Sequence, residues 1–341
     1  MKFNCGIIGL GRIGCGFDDI PNKKSINSHV GAYNANSKAN LVSLCDIDIN
    51  KLKKYGKKYN ISSLYSNFQE MFKNEQLDCV SICTLADSHL QIVKEAAKYN
   101  IKGIFLEKPI SVSLKDAAEI IKICNQNKIK LQIDHQRRFS PFYNKIKNII
   151  NSDKFGKLQY CSIYYGSGIA NTGSHVFDLI NYFFGGIKWV EGIQSKNISN
   201  NPTDPNIDGK FECKNGLICS IQSFDLRKFS LLEFDIIGSK ARIRLNLTDS
   251  RAEFFEISEK PGLAYKKLIK KPDIMKNKDD DIVLGLENLF YSIQNKTELL
   301  STGSDGFTSL ESIIAMRQSA NKNGKRVNLP IKSNNFKISS R

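Results

Sequence analysis

The stretch Phe3-Asn4-Cys5-Gly6-Ile7-Ile8-Gly9-Leu10-Gly11-Arg12-Ile13-Gly14 decides the fold. Phe3 to Ile8 is a short, mostly apolar run that reads as a buried strand. Gly9, Gly11 and Gly14 follow it in G-x-G-x-x-G spacing. In that pattern the first glycine permits a tight turn, the second lets the backbone approach a pyrophosphate, and the third allows close helix packing. Exposed amide groups at the helix start then bind phosphate. A dinucleotide-binding unit is therefore expected at the start of the chain.

Working outward, the next strand, Leu41 to Asp46, ends in the acid that such a unit places on a ribose. Asp46 would hydrogen-bond a 2′-hydroxyl and repel a 2′-phosphate, which favours NAD over NADP. Gly14 and Asp46 lie 32 positions apart, against about 20 in the usual unit. The excess falls in Cys15 to Ser28, read as an inserted loop, and Ser28-His29-Val30 resumes a helix. Leu77 to Thr84 is a further strand, ending in a loop, Thr84 to His89, placed to meet a cofactor. Gly103-Ile104-Phe105-Leu106-Glu107-Lys108-Pro109 is another. Pro109 cannot donate to a ladder, so the strand stops there, and Lys108 projects from the carboxyl end of a parallel strand, where open α/β sheets bind ligands. With Leu131 to Asp134 as one more strand and helices between, an α/β, doubly wound parallel sheet follows.

From Gly156 the pattern changes. Strand-like segments recur at 158–165, 189–195, 209–213, 217–224, 232–237, 241–246 and 252–258, some joined by turns such as Lys214-Asn215-Gly216. An α+β domain with a large, mostly antiparallel sheet is expected. The domains are placed at 1–134 and 135–341, with a C-terminal segment able to pack back on the first. Between the first two of these strands, Asn171-Thr172-Gly173-Ser174-His175-Val176-Phe177-Asp178 begins a helix, and a spacing of three puts His175 and Asp178 on one helix face. His29, His89 and His135 are read as packing or supporting residues.

Composition narrows the classes. A chain of 341 residues is too long for one comfortable core. Its net charge of +16 comes from scattered lysines interleaved with asparagine, without a stacking pattern or DNA-binding motif, so no nucleic-acid partner is expected. The nine cysteines contain no C-x-x-C pair and suit a reducing compartment. None of the four histidines has a metal-ligand spacing to another His or Cys, so no metal is expected. No apolar run suits a bilayer crossing, and the N-terminal residues lack the features of a signal peptide; a cytoplasmic protein is expected.

Gly9 to Gly14, Glu107-Lys108-Pro109 and Gly173 to Asp178, in this order, with the tail Gly306 to Glu311 and Asn323 to Pro330, resemble the glucose-fructose oxidoreductase / inositol dehydrogenase / MocA (Gfo/Idh/MocA) family essentially end to end. The resemblance implies a Rossmann domain, a sheet domain that oligomerises as a homodimer or homotetramer, NAD or NADP, and substrates among sugars, cyclitols and nucleotide sugars. It implies that Arg12 and Ile13 join the glycines at the phosphates and Asp46 meets the adenine ribose. Thr84 matches the loop beside the nicotinamide ribose, with Leu85 where the family often has proline and His89 close by. Glu107 matches a nicotinamide-ribose contact, and Lys108 the catalytic-centre lysine, often before a cis proline bond. Arg137 and Arg138 match a stretch that contacts cofactor or substrate. One departure stands out: Asn171 occupies the place of the family's usual Asp, four residues before the histidine, and an amide cannot accept a proton.

Hydride transfer to nicotinamide requires the neighbouring hydroxyl to lose its proton. His175, with an ordinary pKa near neutral, is the expected acid/base. Lys108 would stabilise the developing oxyanion, while Asn171 and Asp178 would orient substrate or imidazole. The expected activity is an NAD-linked dehydrogenase or ketoreductase of a sugar, with a nucleotide sugar or another polyol as the expected substrate. The alternatives are a non-catalytic dinucleotide-binding regulator of the same fold, or a reductase of another carbonyl or imine.

Overall fold

Strand β1 (Phe3–Ile8) is almost wholly buried, as a central parallel strand covered on both faces must be. The computed structural model describes residues 2–21, 25–227, 229–258, 265–272, 275–332 and 336–339. Two units divide the chain: Met1–Phe139 with Asp279–Phe307, and Ser140–Lys278 with Thr308–Ser339. The division at Phe139 and Ser140 falls five residues after the expected 134/135 boundary. Asp279–Phe307 groups with the first unit, where a C-terminal segment was expected to be able to pack back.

In the first unit β1 is joined by β2 (Ala39–Cys45), β3 (Ser63–Tyr65), β4 (Cys79–Ile82), β5 (Gly103–Leu106) and β6 (Lys130–Ile133). The order is β3-β2-β1-β4-β5-β6 and every pairing is parallel. This is the doubly wound order, with its switch point between β1 and β4. Its helices are α1 (His29–Ala35), α2 (Ile49–Tyr59), α3 (Phe68–Asn74), α4 (His89–Ala96) and α5 (Leu114–Gln126). The second unit contributes α6 (Pro141–Ile150) and α7 (Thr172–Phe184), α8 (Asp281–Asn295) returns to the first, and α9 (Gly303–Ala320) follows. Asn67 caps α3 by accepting the Gln69 N–H at 2.7 Å.

The insertion has a clear physical form. Cys15 and Gly16 donate back to the Gly11 carbonyl at 3.0 Å, closing the glycine turn into a short 3₁₀ helix, Gly16–Asp19. Further on, His29 and Val30 donate to the carbonyls of Ile13 and Gly14 at 3.0 Å. Helix α1 therefore starts on the carbonyls that an uninterrupted helix would have supplied, and residues 15–28 leave and rejoin that turn. Ser28 caps α1, accepting the Gly31 N–H at 3.2 Å. Asp18 accepts from the Asn27 N–H at 2.8 Å and from the Ser28 hydroxyl. Asp19 meets Lys54, Lys58 and the Tyr55 hydroxyl on α2 at 2.6, 2.5 and 2.8 Å. Positions 22–24 of the insertion lie outside the described residues.

The second unit holds a ten-stranded sheet. Its strands are β7 (Leu158–Tyr165), β8 (Ile187–Gln194), β9 (Ile207–Cys213), β10 (Ile218–Ser223), β11 (Glu233–Gly238), β12 (Ala241–Asn246), β13 (Arg251–Ile257), β14 (Leu268–Lys270), β15 (Met275–Lys276) and β16 (Val327–Asn328). The path runs β14-β13-β12-β11-β7-β10-β9-β8-β16, with β15 also on β13; only β7 and β10 pair in parallel. Alternating burial along β11 and β12 gives the sheet one covered face, where Phe177 of α7 meets Phe211 at 5.8 Å. The short β14, β15 and β16 escaped the sequence reading because two or three residues carry no periodicity. Among the described residues, no helix is long and apolar enough to cross a membrane.

Candidate active site

The glycine turn fits a dinucleotide phosphate. Gly9 has φ +94°, and a Cβ there would lie 2.7 Å from the Cys83 carbonyl carbon. At Gly14 a Cβ would stand 2.1 Å from the Gly9 carbonyl oxygen. A Cβ at Gly11, by contrast, would meet no atom within 4 Å, so this position faces open space. The N–H groups of Gly11, Arg12, Ile13 and Gly14 donate to no acceptor among the described residues. Four unused donors beside an open glycine are what an anion requires. The Arg12 guanidinium lies over the Phe17 ring, 4.8 Å from its centroid.

Asp46 is 8% exposed and does more than the sequence implied. One carboxylate oxygen accepts the Leu10 N–H at 2.6 Å and the other the Asp48 N–H at 2.8 Å. The side chain thus ties the end of β2 to the glycine turn, and each oxygen keeps a lone pair for a ribose hydroxyl. Of the lysines that follow it, Lys51 meets Asp48, and Lys54 and Lys58 meet Asp19.

The loop after β4 is braced from within. Thr84 Oγ1 and Ser88 Oγ lie 2.7 Å apart, and Ser88 donates to the Leu85 carbonyl. Leu85 itself is exposed. His89, set close to the cofactor by the resemblance and read from the residues as packing or supporting, is fully buried. Its two nitrogens face the carbonyls of Ile110 and Thr84 at 3.1 and 3.2 Å. Burial pushes its pKa down, so the neutral ring donates to one of them. His89 therefore holds the Thr84 loop in place and has no face left for a cofactor.

At the ends of β5 and β6 lies a buried cluster. The Lys108-Pro109 peptide bond is cis, as the resemblance implies. The Lys108 N–H donates to Glu107 Oε2 at 3.2 Å. Glu107 Oε1 lies 3.1 Å from His29 Nε2, and Asp134 Oδ2 lies 3.5 Å from the same nitrogen. Glu107 is thus turned into the protein, toward His29. Burial, then the Asp134 charge, raises its pKa to about 7. Asp134 is held below its ordinary value by His29 despite burial. Burial alone would lower His29, yet Cys83 and the two carboxylates lift it well above its usual range. The Cys83 thiol is itself raised by burial and so uncharged, which leaves the carboxylates as the cause. Among the described residues this trio alone brings three potential metal ligands within 4.8 Å, and hydrogen bonds account for its geometry. Its members are far apart in the chain, which is why spacing did not reveal it.

Three further expected residues lie close by. His135 is buried, and burial with the Arg138 charge pushes it down to about 3. Arg138, expected at substrate, is buried and pairs with Asp305 at 2.8 Å. Arg137 Nε is buried with no hydrogen-bond partner among the described residues.

In the second unit, Asn171 is the N-cap of α7, and Asn171 Nδ2 contacts Ser167 Oγ at 3.4 Å. The carboxylate of Asp204, which sequence reasoning missed, accepts the N–H groups of Ala170 and Asn171 at 2.8 and 2.9 Å. Ser174 donates to the Asn171 carbonyl at 2.6 Å and the Ser309 hydroxyl to the Ser174 carbonyl at 3.0 Å, so the helix start is held on several sides. His175 is half-buried one turn in, and Asp178 is buried one turn further. The structure thus gathers Gly9, Gly11, Gly14, Asp46, Thr84 and Lys108 at the carboxyl ends of one sheet, and Asn171, His175 and Asp178 on one helix of the other unit.

Comparison with known proteins gives the family and the fold. Residues 3–135 match the family model described as "Oxidoreductase family, NAD-binding Rossmann fold", and residues 165–329 the model "Oxidoreductase family, C-terminal alpha/beta domain". The chain is 26% identical to D-apiose dehydrogenase of Paraburkholderia graminis over 201 residues, covering 54% of this chain and 52% of that protein. It is 26% identical to myo-inositol 2-dehydrogenase of Thermotoga maritima over 195 residues, covering 53% and 54%. These alignments span about half the length of the curated relatives. The WlbA dehydrogenase of Bordetella pertussis, solved in complex with NADH and UDP-GlcNAcA, superposes with a TM-score of 0.77 at 19% identity, covering 97% of this chain and 100% of that one.

Proposed function

The chain belongs to the Gfo/Idh/MocA oxidoreductase family, and from that premise we propose that it is an NAD-dependent oxidoreductase acting on a sugar-type hydroxyl or ketone. The observation that carries the reading is the glycine turn, with its four unused N–H groups and Asp46 beside it, at the same sheet edge as Lys108. When bound there, NAD supplies the hydride acceptor or donor. Gly11 to Gly14 bind its phosphates, and Asp46 accepts from the adenine ribose. Thr84 and Arg137 contribute from their loops.

Lys108 donates to the substrate oxygen and stabilises its charge, and His175 takes or returns the hydroxyl proton. Asn171 orients substrate, since its amide can donate and accept hydrogen bonds but cannot hold the proton. Nucleotide sugars are the preferred substrate class: the net charge of +16 favours a phosphorylated ligand, and WlbA is a fold relative solved with one. Nine buried cysteines outside any disulfide support a reducing compartment such as the cytoplasm. It assembles as a homodimer or homotetramer through the second unit's sheet.

The test follows absorbance of reduced nicotinamide over a panel of free and nucleotide-linked sugars. Wild type turns over at least one of them, and His175→Ala lowers kcat by about 10² to 10⁴-fold. A variant keeping more than half of wild-type turnover would remove His175 from this role. Asn171 in place of an acid keeps one other reading in view, a regulator that binds NAD without turnover; NAD binding with no turnover of any sugar in the panel favours it.

A further inference from the structure

The geometry points to His29 as a positioning residue that, through Glu107, fixes the peptide carrying Lys108, and to His29, Glu107 and Asp134 as one unit sharing a proton beneath it. This inference rests on the proposed role of Lys108 and goes beyond it, since nothing above gives His29 a part in the reaction.

The His29 ring is held on every side. Its Nδ1 lies 2.9 Å from Ser81 Oγ, which is also 2.8 Å from the Tyr33 hydroxyl. The ring packs edge-on to Phe105, with centroids 4.7 Å apart. Nε2 then has a single direction open to it, toward Glu107 Oε1 at 3.1 Å and Asp134 Oδ2 at 3.5 Å. Glu107 uses its other oxygen to receive the Lys108 N–H, and Asp134 Oδ2 also accepts from Gln136 Nε2 at 3.1 Å. A chain of contacts therefore runs from Tyr33 through Ser81, His29 and Glu107 to the Lys108 peptide.

Charge balance explains the proton. With both carboxylates ionised and an imidazolium between them, the buried cluster carries one net negative charge; one more proton makes it neutral. Burial favours the neutral state, and two close carboxylates resist double ionisation. The ionisable groups around Glu107 are His29 and Tyr33 of α1, Cys83 after β4, Asp134 after β6 and its neighbour Lys108. Tyr33 and Cys83 are both raised by burial and stay neutral near pH 7, so the proton lies among His29, Glu107 and Asp134.

Two readouts test this, and one does not depend on turnover. Infrared difference spectra of the full-length protein across neutral pH should show a protonated-carboxyl stretch that disappears as pH rises and is absent in Glu107→Gln. His29→Gln removes the imidazolium that favours ionisation, so the midpoint should move to higher pH. Asp134→Asn removes the competing carboxylate, so it should move lower, and this second variant keeps the test alive if the first does not fold. Midpoints that stay put in both variants, or a band that survives Glu107→Gln, overturn the shared proton.

For the positioning role, a displacement of about 1 Å at a reacting group can cost about 10²-fold. His29→Ala should therefore lower kcat about 10- to 100-fold with little change in the KM for NAD, and His29→Gln should restore part of it. An unchanged kcat overturns that role. If the His175 test fails while the infrared shifts appear, the error lies in the proposed reaction. If the His175 test succeeds and the shifts are absent, it lies in this inference.

Discussion

Replacing Asp46 by alanine separates two roles that a ribose contact alone would not combine. In the folded protein its carboxylate accepts the Leu10 N–H at 2.6 Å, and Leu10 is 1% exposed. Removing the acceptor leaves that donor buried without a partner, at a cost of about 1–3 kcal/mol. The Asp48 N–H, at 2.8 Å from the other oxygen, lies in a more open stretch where water can replace the bond, so it adds little. For a unit of this size, at about 2–4 °C per kcal/mol, such a loss lowers Tm by about 2–12 °C. Scanning calorimetry of the protein without nucleotide reads this directly. Titration with NAD reads the second role: losing charge-assisted bonds to ribose hydroxyls weakens Kd by about 10- to 100-fold. Because the repelling acid is gone, the preference for NAD over NADP should also narrow. Asp46→Asn should fall between, since its one oxygen can serve Leu10 while its amide cannot accept. A nucleotide-free Asp46→Ala protein melting within about 1 °C of wild type would refute the tether and leave Asp46 as a ribose contact alone.

Two further substitutions probe the supports of the site. Asp204→Ala withdraws the acceptor for two N–H groups at the start of α7; it should cost about 2–4 kcal/mol and lower kcat, because His175 lies one turn in. Denaturant unfolding and steady-state kinetics check it, and wild-type values in both would deny Asp204 that role. Arg138→Ala breaks a buried ion pair with Asp305 and should destabilise the protein by about 3 kcal/mol while leaving the substrate KM unchanged. A raised KM with unchanged stability would return Arg138 to the substrate.

What the sequence disclosed, and what it hid, follows from the range of the physics involved. The parallel sheet was legible because apolar runs, glycine spacing and Pro109 are local signals, each acting within a few residues. The excursion at residues 15–28 was legible as excess length, but not its geometry, which depends on His29 and Val30 bonding to Ile13 and Gly14. Helix α7 was legible, whereas Asp204, which holds its start from 33 positions away, read only as one acid in a Pro/Asn-rich loop. Spacing placed His89 beside the cofactor loop, yet which way a ring turns is decided by the carbonyls around it. Arg138 shows the same limit, since a basic pair at a strand end reads alike whether it faces ligand or an acid such as Asp305. A C-terminal segment able to pack back on the first domain was expected, but nothing in a helical pattern says that the segment is 279–307.

The polar seam under β4, β5 and β6 is a case where local rules fail for a reason. Strands covered on both faces are expected to be apolar throughout, and Cys79–Ile82 and Gly103–Leu106 nearly are. Yet Ser81, Phe105 and Gln132 stand in register on neighbouring strands, and Cys83, Glu107 and Asp134 follow two positions on. Buried polar groups of this kind destabilise unless each finds a partner. Ser81, Glu107 and Asp134 find theirs in His29, and Gln132 Nε2 donates to the Gly285 carbonyl at 2.7 Å. The accounts do not close everywhere: Gln132 Oε1 and Asp134 Oδ1 are buried with no hydrogen bond among the described residues. An apolar seam of equal volume would avoid those costs and hold the sheet as well. Stability of the sheet therefore does not explain why the seam is polar. Its position does, since the bond from His29 to Glu107 continues to the peptide that presents Lys108.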